Sequence, residues 1–426
     1  MLKRLSSTSR VVALSSAVAF ATQVAFALLM LRLFTPQEVG EFSVISQIGF
    51  FWMTLALAQA PLGMLANQHL PAHIATQQAW RASALRGVAL LPVAALAVWF
   101  SQLNMWPALL WALLLAFCQM GWMLAQSFTL RAGSAWQQAA VRVLPPVTAA
   151  ATALTAALAG ASLGWSGSTL VLSALLGYAV GAARLVPALR IHGVNMDGAT
   201  SASARSKPDD SHDTKAHQSD PRSAILRMTH TLVDALLATA IIVVWQRLYG
   251  AEETGWMSAL LRVLGFLPAV VHMAWAQVAL AQGHHANKAQ TAGTSPWWLG
   301  LGAFACVIVL GLSCAVALYL EWLDPRWRGV WPYIAPLVLW QGSACLSAAF
   351  SHRPFQTQAT EKYSWACIVL ALLQGLVLTL PMVLNEAIGA IPLITVFALV
   401  SATGLSMMTA WMARLKSPTE AYLADS

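Results

Sequence analysis

Residues 11–31 read VVALSSAVAFATQVAFALLML, an apolar run without a single charged side chain. A bilayer's hydrocarbon core takes about 20 residues of helix, so this stretch is long enough to cross one. Lys3, Arg4 and Arg10 precede it, as they would a signal peptide. The run is too long for a signal-peptide core of about 7–15 residues, and Arg32 and the bulky Leu33-Phe34 stand where a cleavage site needs small side chains. It reads as a retained first span.

The pattern repeats along the chain. Comparable apolar stretches occupy 43–65, 84–101, 106–128, 136–160, 168–190, 226–246, 256–281, 297–320, 331–350, 363–384 and 388–411. The expected fold is therefore an all-α integral membrane protein of about twelve transmembrane helices. No soluble segment is large enough to hold a separate active site. Composition agrees: 58% of the 426 residues are hydrophobic and 9% charged, against roughly 25% charged in soluble domains.

Orientation follows from Lys and Arg, which concentrate in cytoplasmic loops. With the N-terminus inside, most of the 24 basic residues face the cytoplasm, and only Arg32, Arg247, Arg326 and Arg328 fall outside. Both termini are then cytoplasmic. The net charge of +8 is a topology signal, and no nucleic-acid partner is needed to explain it. Cys118, Cys306, Cys314, Cys345 and Cys367 all fall in predicted spans without CxxC spacing and read as free thiols rather than disulfides or a metal site. Tryptophans near span ends (Trp99, Trp106, Trp165, Trp256, Trp297, Trp298, Trp322, Trp327, Trp331, Trp411) suit an interfacial belt.

One long polar segment, containing SASARSKPDDSHDTKAHQSD, lacks the apolar residues needed to fold. Its interleaved Asp and His residues could suggest a metal, but low complexity favours a solvated tether. It divides the chain into an N-terminal six-helix bundle (1–191), a disordered cytoplasmic linker (192–222) and a C-terminal six-helix bundle (223–426). After the first span of each half comes a related loop. Residues 32–43, RLFTPQEVGEFS, align with residues 247–258, RLYGAEETGWMS, so that Arg32, Glu38, Gly40 and Ser43 meet Arg247, Glu253, Gly255 and Ser258. An even number of spans per half makes these parallel repeats. Thr35-Pro36-Gln37-Glu38 is a capping box with proline at the first helical position, and Gly250 with Glu253 repeats the device more weakly. Helix-start chemistry thus accounts for both glutamates without a transport role.

The segment RLFTPQEVGEF (32–42), directly after the first span, resembles the corresponding loop of the polysaccharide flippases in the multidrug/oligosaccharidyl-lipid/polysaccharide exporter superfamily, Wzx-type O-antigen translocases included. RLYGAEETGWMS suits the same family's two-bundle plan. The resemblance implies a non-enzymatic, cofactor-free flippase in a bacterial inner membrane. Such a protein moves an undecaprenyl-pyrophosphate-linked oligosaccharide between leaflets by alternating access. Its partners would be that lipid-linked glycan, membrane lipids and other polysaccharide-assembly proteins.

Ionisable groups inside a bilayer cost about 2.5–3.5 kcal/mol each on insertion scales and usually face a cavity. Asp234 is the one plainly intramembrane acid, about 10 Å into the seventh span. His230 sits one turn before it on the same face. The two are a candidate ion-coupling pair, or else a structural hydrogen bond. Arg262 lies about 10 Å past Gly255, and its counterpart in the repeat is Gln47. Its planar fork suits a pyrophosphate, with snorkelling to headgroups as the alternative. Arg142 is a second substrate-binding candidate, shallower in the fifth span. Pro145-Pro146 follow it and make that segment either a cavity wall or hinge or an ordinary kink.

Two other functions compete. A multidrug exporter of the same superfamily should carry an acid in the core of its first bundle, and spans one to six have none. A membrane enzyme such as a glycosyltransferase or an O-antigen ligase or polymerase should carry a sizeable outer loop. The longest here is about EWLDPRWRGV (321–330). No Walker loop, metal spacing or nucleophile motif appears.

Overall fold

The computed structural model of the protein describes residues 7–58, 60–66, 70–160, 167–190, 221–272, 295–357, 359–384 and 386–415. In chain order the α-helices are α1 (Ser7–Leu33), α2 (Pro36–Leu57), α3 (Ala60–Ala66), α4 (Ala72–Ala89), α5 (Leu91–Phe100), α6 (Met105–Ala132), α7 (Ala135–Leu158) and α8 (Ser168–Ala182). They continue as α9 (Val186–Arg190), α10 (Pro221–Leu264), α11 (Phe266–Val270), α12 (Pro296–Tyr319), α13 (Trp331–Phe350), α14 (Arg353–Gln356), α15 (Thr360–Leu384) and α16 (Ala390–Arg414). There is no strand among the described residues. Among the described residues nine helical stretches are long and apolar enough to cross a membrane, and the bent pair α4–α5 would make a tenth. This is a multi-pass membrane protein.

The count of about twelve spans is compatible with this architecture. One of the nine stretches, Met228–Val270, is 43 residues long, about 65 Å of helix and twice a bilayer core. It breaks at Gly250, whose φ of 84° favours glycine. Contacts with α2 show that the two limbs fold back on each other. Adjacent residues of α2, Ser46 and Gln47, bond to Arg262 and Thr239 respectively. Those partners lie on either side of Gly250 by nearly equal lengths, so they sit at the same depth on antiparallel limbs. Sequence alone suggests a loop over 247–255, whereas the turn is Gly250 alone.

Other boundaries also move. The capping box at Thr35 is present, with Glu38 N–H donating to Thr35 Oγ1 and Thr35 N–H to Glu38 Oε2 (3.2 and 2.8 Å). It starts α2 at Pro36, seven residues before the expected span at 43. The span expected at 84–101 begins at Ala72 and bends by 47° between α4 and α5. Its polar first turns, with His73, Gln77, Gln78 and Arg81, hide it from a hydropathy reading. A second capping box, Ser134 with Gln137, opens α7. The expected linker lies outside the described residues except at its end, where Pro221 already opens α10. Proline is favoured in a first helical turn. Residues 273–281 of the eighth expected span also lie outside the described residues.

Large apolar side chains point outward along many helices, among them Leu96, Trp136, Val309, Leu372, Leu399 and Met407. In water such surface would be an association site; in lipid it is the ordinary exterior. Trp99, Trp106, Trp297, Trp298, Trp322 and Trp331 are exposed near helix ends, as the belt requires. Trp327 is not in the belt. It is fully buried, and its indole N–H donates to the Phe34 carbonyl at 3.2 Å, tying the 3-10 turn Pro325–Val330 to the first repeated loop. All five cysteines are free.

The two halves of the chain meet mainly along α2 and α10. At the contact the backbones touch. A Cβ on Gly40 would collide with the carbonyl of Ala251, and one on Gly255 would collide with the carbonyl of Pro36. Pro36 and Gly40 are the repeat counterparts of Ala251 and Gly255, so the contact is reciprocal, as between two-fold related copies. Just inside it the hydroxyls of Ser43 and Ser258, also counterparts, are hydrogen-bonded at 2.9 Å. The repeated Gly and Ser therefore have a role that helix-start chemistry did not supply. Small residues let membrane helices approach this closely.

Gly255→Ala should cost about 1–3 kcal/mol, as overpacking does, and lower the unfolding midpoint in detergent. Gly63→Ala, where a Cβ meets nothing within 4 Å, should leave that midpoint unchanged or raise it. Equal midpoints for the two variants would contradict a tight crossing.

Candidate functional site

A cavity of about 840 Å³ opens between α2, both limbs of α10, α13, α15 and α16. Its wall is mixed: Ser43, Gln47, Ser258, Ser347 and Gln374 supply neutral polar groups, and His230, Asp234, Arg262 and His272 supply titratable ones. A smaller cavity of about 300 Å³ lies among α1, α2, α6, α7 and α8. Its wall is chiefly apolar and aromatic, with Phe26, Phe42, Trp122, Tyr178, Pro145 and Pro146. Trp122 is fixed there by its N–H to the Val141 carbonyl (2.7 Å) and by Tyr178, whose ring centroid is 5.3 Å away.

Arg262 lines both cavities. Its guanidinium donates from Nη2 to Ser43 Oγ (3.1 Å) and Ser46 Oγ (3.3 Å) and lies 4.4 Å over the Phe42 ring. No ion pair involves it among the described residues, where the two pairs are Arg326–Asp324 and Arg328–Glu321. Snorkelling to the headgroups does not describe this side chain, which points into the protein. A cation at a cavity junction, held by neutral hydroxyls and an aromatic face, keeps its charge available for an anionic ligand. Gln47, the repeat counterpart, faces the same cavity and donates to Thr239 Oγ1 at 3.4 Å.

Asp234 and His230 share the larger cavity, as their spacing on one helical face requires. No ion pair joins Asp234 to Arg262 among the described residues. The structure adds two neighbours that sequence spacing could not supply. Tyr363 of α15 meets the His230 ring edge-on at 5.9 Å, and His272 lines the same wall with Nδ1 3.0 Å from Ser351 Oγ. Both come from distant sequence, so only packing assembles the group.

Arg142 is not brought to Arg262 and is not among the side chains lining either cavity. It lies one turn from Pro146 on the face that also carries Pro145 and Ala149, which do line the smaller cavity. Its Nη1 is buried without a hydrogen-bond partner among the described residues. The double proline is thus wall to a cavity, with Pro145 packed against Gly177 and Gly181 of α8.

Of the repeated-loop residues, Phe42, Ser43 and Ser258 line the cavities, whereas Arg32, Thr35, Pro36, Glu38, Gly40, Arg247, Glu253 and Gly255 are not among the lining side chains. Arg32 and Arg247 are exposed, and Arg247 lies 5.9 Å from the Phe100 ring. Glu253 does not close a second capping box, because Gly250 has no side chain to reciprocate. It accepts instead from the hydroxyl of Tyr333, linking α10 to α13. In the loop of residues 321–330, hydrogen bonds from Arg326 hold the Asp324 carboxyl down at about 2. An acid so depressed stays ionised near neutral pH and cannot serve as a general acid there.

No family model matches the sequence, and no curated protein matches it. Solved structures do. The chain superposes on the lipid II flippase MurJ in an inward closed conformation with a TM-score of 0.59 at 10% identity, covering 97% of this chain and 89% of that one. Weaker likenesses are to an inward-facing multidrug resistance MATE family transporter of the MOP superfamily (TM-score 0.41, 12% identity, 98% of each chain) and to the MATE multidrug transporter DinF-BH (0.44, 13%, 94% and 88%). Identity this low speaks for the fold alone, and the MurJ likeness carries it.

The cavity makes a chemical prediction. In single-cysteine variants a small water-soluble thiol reagent should modify Cys367, which lines the larger cavity, and spare Cys345, which is fully buried. Equal modification of both would mean that the cavity is not the water-accessible space described.

Proposed function

We propose that this protein is a flippase carrying an undecaprenyl-pyrophosphate-linked oligosaccharide across a bacterial inner membrane by alternating access, for surface polysaccharide biosynthesis. The observation that carries the reading is Arg262, an arginine without a carboxylate partner among the described residues, at the junction of two unlike cavities. A glycan joined to a lipid through a diphosphate has the matching three parts. The diphosphate sits on the guanidinium, the hydrophilic glycan in the larger polar cavity, and the first apolar units of the carrier in the smaller aromatic one. Arg142, one turn from the Pro145-Pro146 wall of that smaller cavity, is the proposed second cation on the carrier's route. The likeness to a lipid II flippase, itself a mover of a lipid-linked substrate by its name, supports the same class.

Arg262→Gln should lower delivery of the glycan to the outer leaflet by about tenfold or more, the worth of one or two charge-assisted hydrogen bonds. Arg262→Lys should retain part of it, as a point charge without the fork. In a strain without a second flippase, deletion should trap the lipid-linked glycan in the inner leaflet; normal delivery there would sink the assignment.

Asp234 with His230 is the proposed ion-coupling pair, joined by His272. Asp234→Asn should weaken transport that depends on an ion gradient while expression is kept, and unchanged transport would remove the pair from the mechanism. The same acid supports a second reading, export of cationic drugs, because a carboxylate in the cavity suits a cation. Drug resistance conferred by the wild type and lost in Asp234→Asn, with glycan delivery untouched, would favour it.

A further inference from the structure

Arg262 is carried by the second half of the chain, but the groups that aim it are carried by the first. Its two hydrogen-bond acceptors, Ser43 and Ser46, and the ring beneath it, Phe42, are all on α2. Only Nη2 is engaged by those serines. Arginine has many rotamers to lose on binding, and a guanidinium already held in place loses fewer, which is how preorganisation raises affinity. The anchors lie within two turns of Gly40, where α2 crosses the second limb of α10 backbone to backbone. Ser43 also bonds Ser258 across the same crossing. Any motion that parts these helices must therefore withdraw the serines from Arg262.

We infer that the anion site is assembled across the two halves. Ser43 and Ser46 position Arg262 for a diphosphate only while α2 and α10 are crossed at Gly40 and Gly255, and parting the crossing dismantles the site. The inference rests on the proposed role of Arg262. It supplies a release step: a diphosphate bound in the crossed arrangement loses its aligned arginine as that end opens. Linkage makes the effect reciprocal, so a bound diphosphate favours the crossed arrangement by the same factor.

The test is equilibrium binding of undecaprenyl diphosphate, without glycan, to the full-length protein in lipid nanodiscs. Ser43→Ala combined with Ser46→Ala should weaken binding about tenfold, and Ser46→Thr, which keeps a hydroxyl, should leave it near wild type. Gly40→Ala adds a methyl that meets Ala251 rather than Arg262, yet it should weaken binding to a similar degree. Wild-type affinity in the double serine variant, with binding lost in Arg262→Gln, overturns the inference and leaves the flippase reading standing. Wild-type affinity in Arg262→Gln overturns that reading itself. Should Gly40→Ala fail to fold, the serine variants decide; should it fold and bind normally, the dismantling step is wrong.

Discussion

The close crossing of α2 with the second limb of α10 is the constraint on which the rest of this protein hangs. Two helices can touch backbone to backbone only where no Cβ stands between them at the point of contact, and Gly40 and Gly255 each leave that space for a backbone carbonyl of the other helix. The reciprocity of the contact, Gly40 on Ala251 and Gly255 on Pro36, follows from the repeat. A loop sequence that occurs twice can be self-complementary only if each copy presents both members of the pair. In lipid there is no hydrophobic force to press helices together, so such an interface is held by close packing and by a few hydrogen bonds, here between Ser43 and Ser258.

That crossing also places the chemistry. It brings α2 against the antiparallel limbs of α10, and the cavities begin immediately inside it. Arg262 is two positions past Leu260 on a limb whose course is set at Gly250, and its guanidinium reaches the α2 serines because the crossing brings those residues to the same depth. The separate characters of the two cavities arise from which helices line them. The larger collects His230, Asp234, His272 and Gln374 from the second half, and the smaller collects Trp122, Tyr178 and the Pro145-Pro146 wall from the first. A charged group between two such spaces is suited to a ligand that is anionic at one point and unlike on its two sides.

The exterior shows the other half of the membrane argument. Leu, Val and Trp side chains that a soluble protein would bury stand outward. The charged residues of the 321–330 loop pair with one another: Arg326 with Asp324 and Arg328 with Glu321, all at the surface. Exposed pairs like these contribute little to stability. Their mutual neutralisation fits a solvated loop better than a reactive centre.

Solvent class, helix type and most span positions were legible in the sequence, because about 20 apolar residues in succession have one physical use. The Thr35 capping box and the shared face of Asp234 and His230 were equally legible, since both depend only on residues within one helical turn. The bend at α4–α5 was not, because polar residues in the first turns of α4 mask its length. Nor was the role of Glu253, whose partner Tyr333 lies on another helix. The repeat revealed that Gly40, Ser43, Gly255 and Ser258 correspond, but only tertiary structure decided that they touch. The same limit applies to Arg262 and Arg142, two intramembrane arginines that look alike in sequence. One is drawn to a cavity junction and the other lines neither cavity, because helix packing, which local spacing does not encode, determines where each side chain ends.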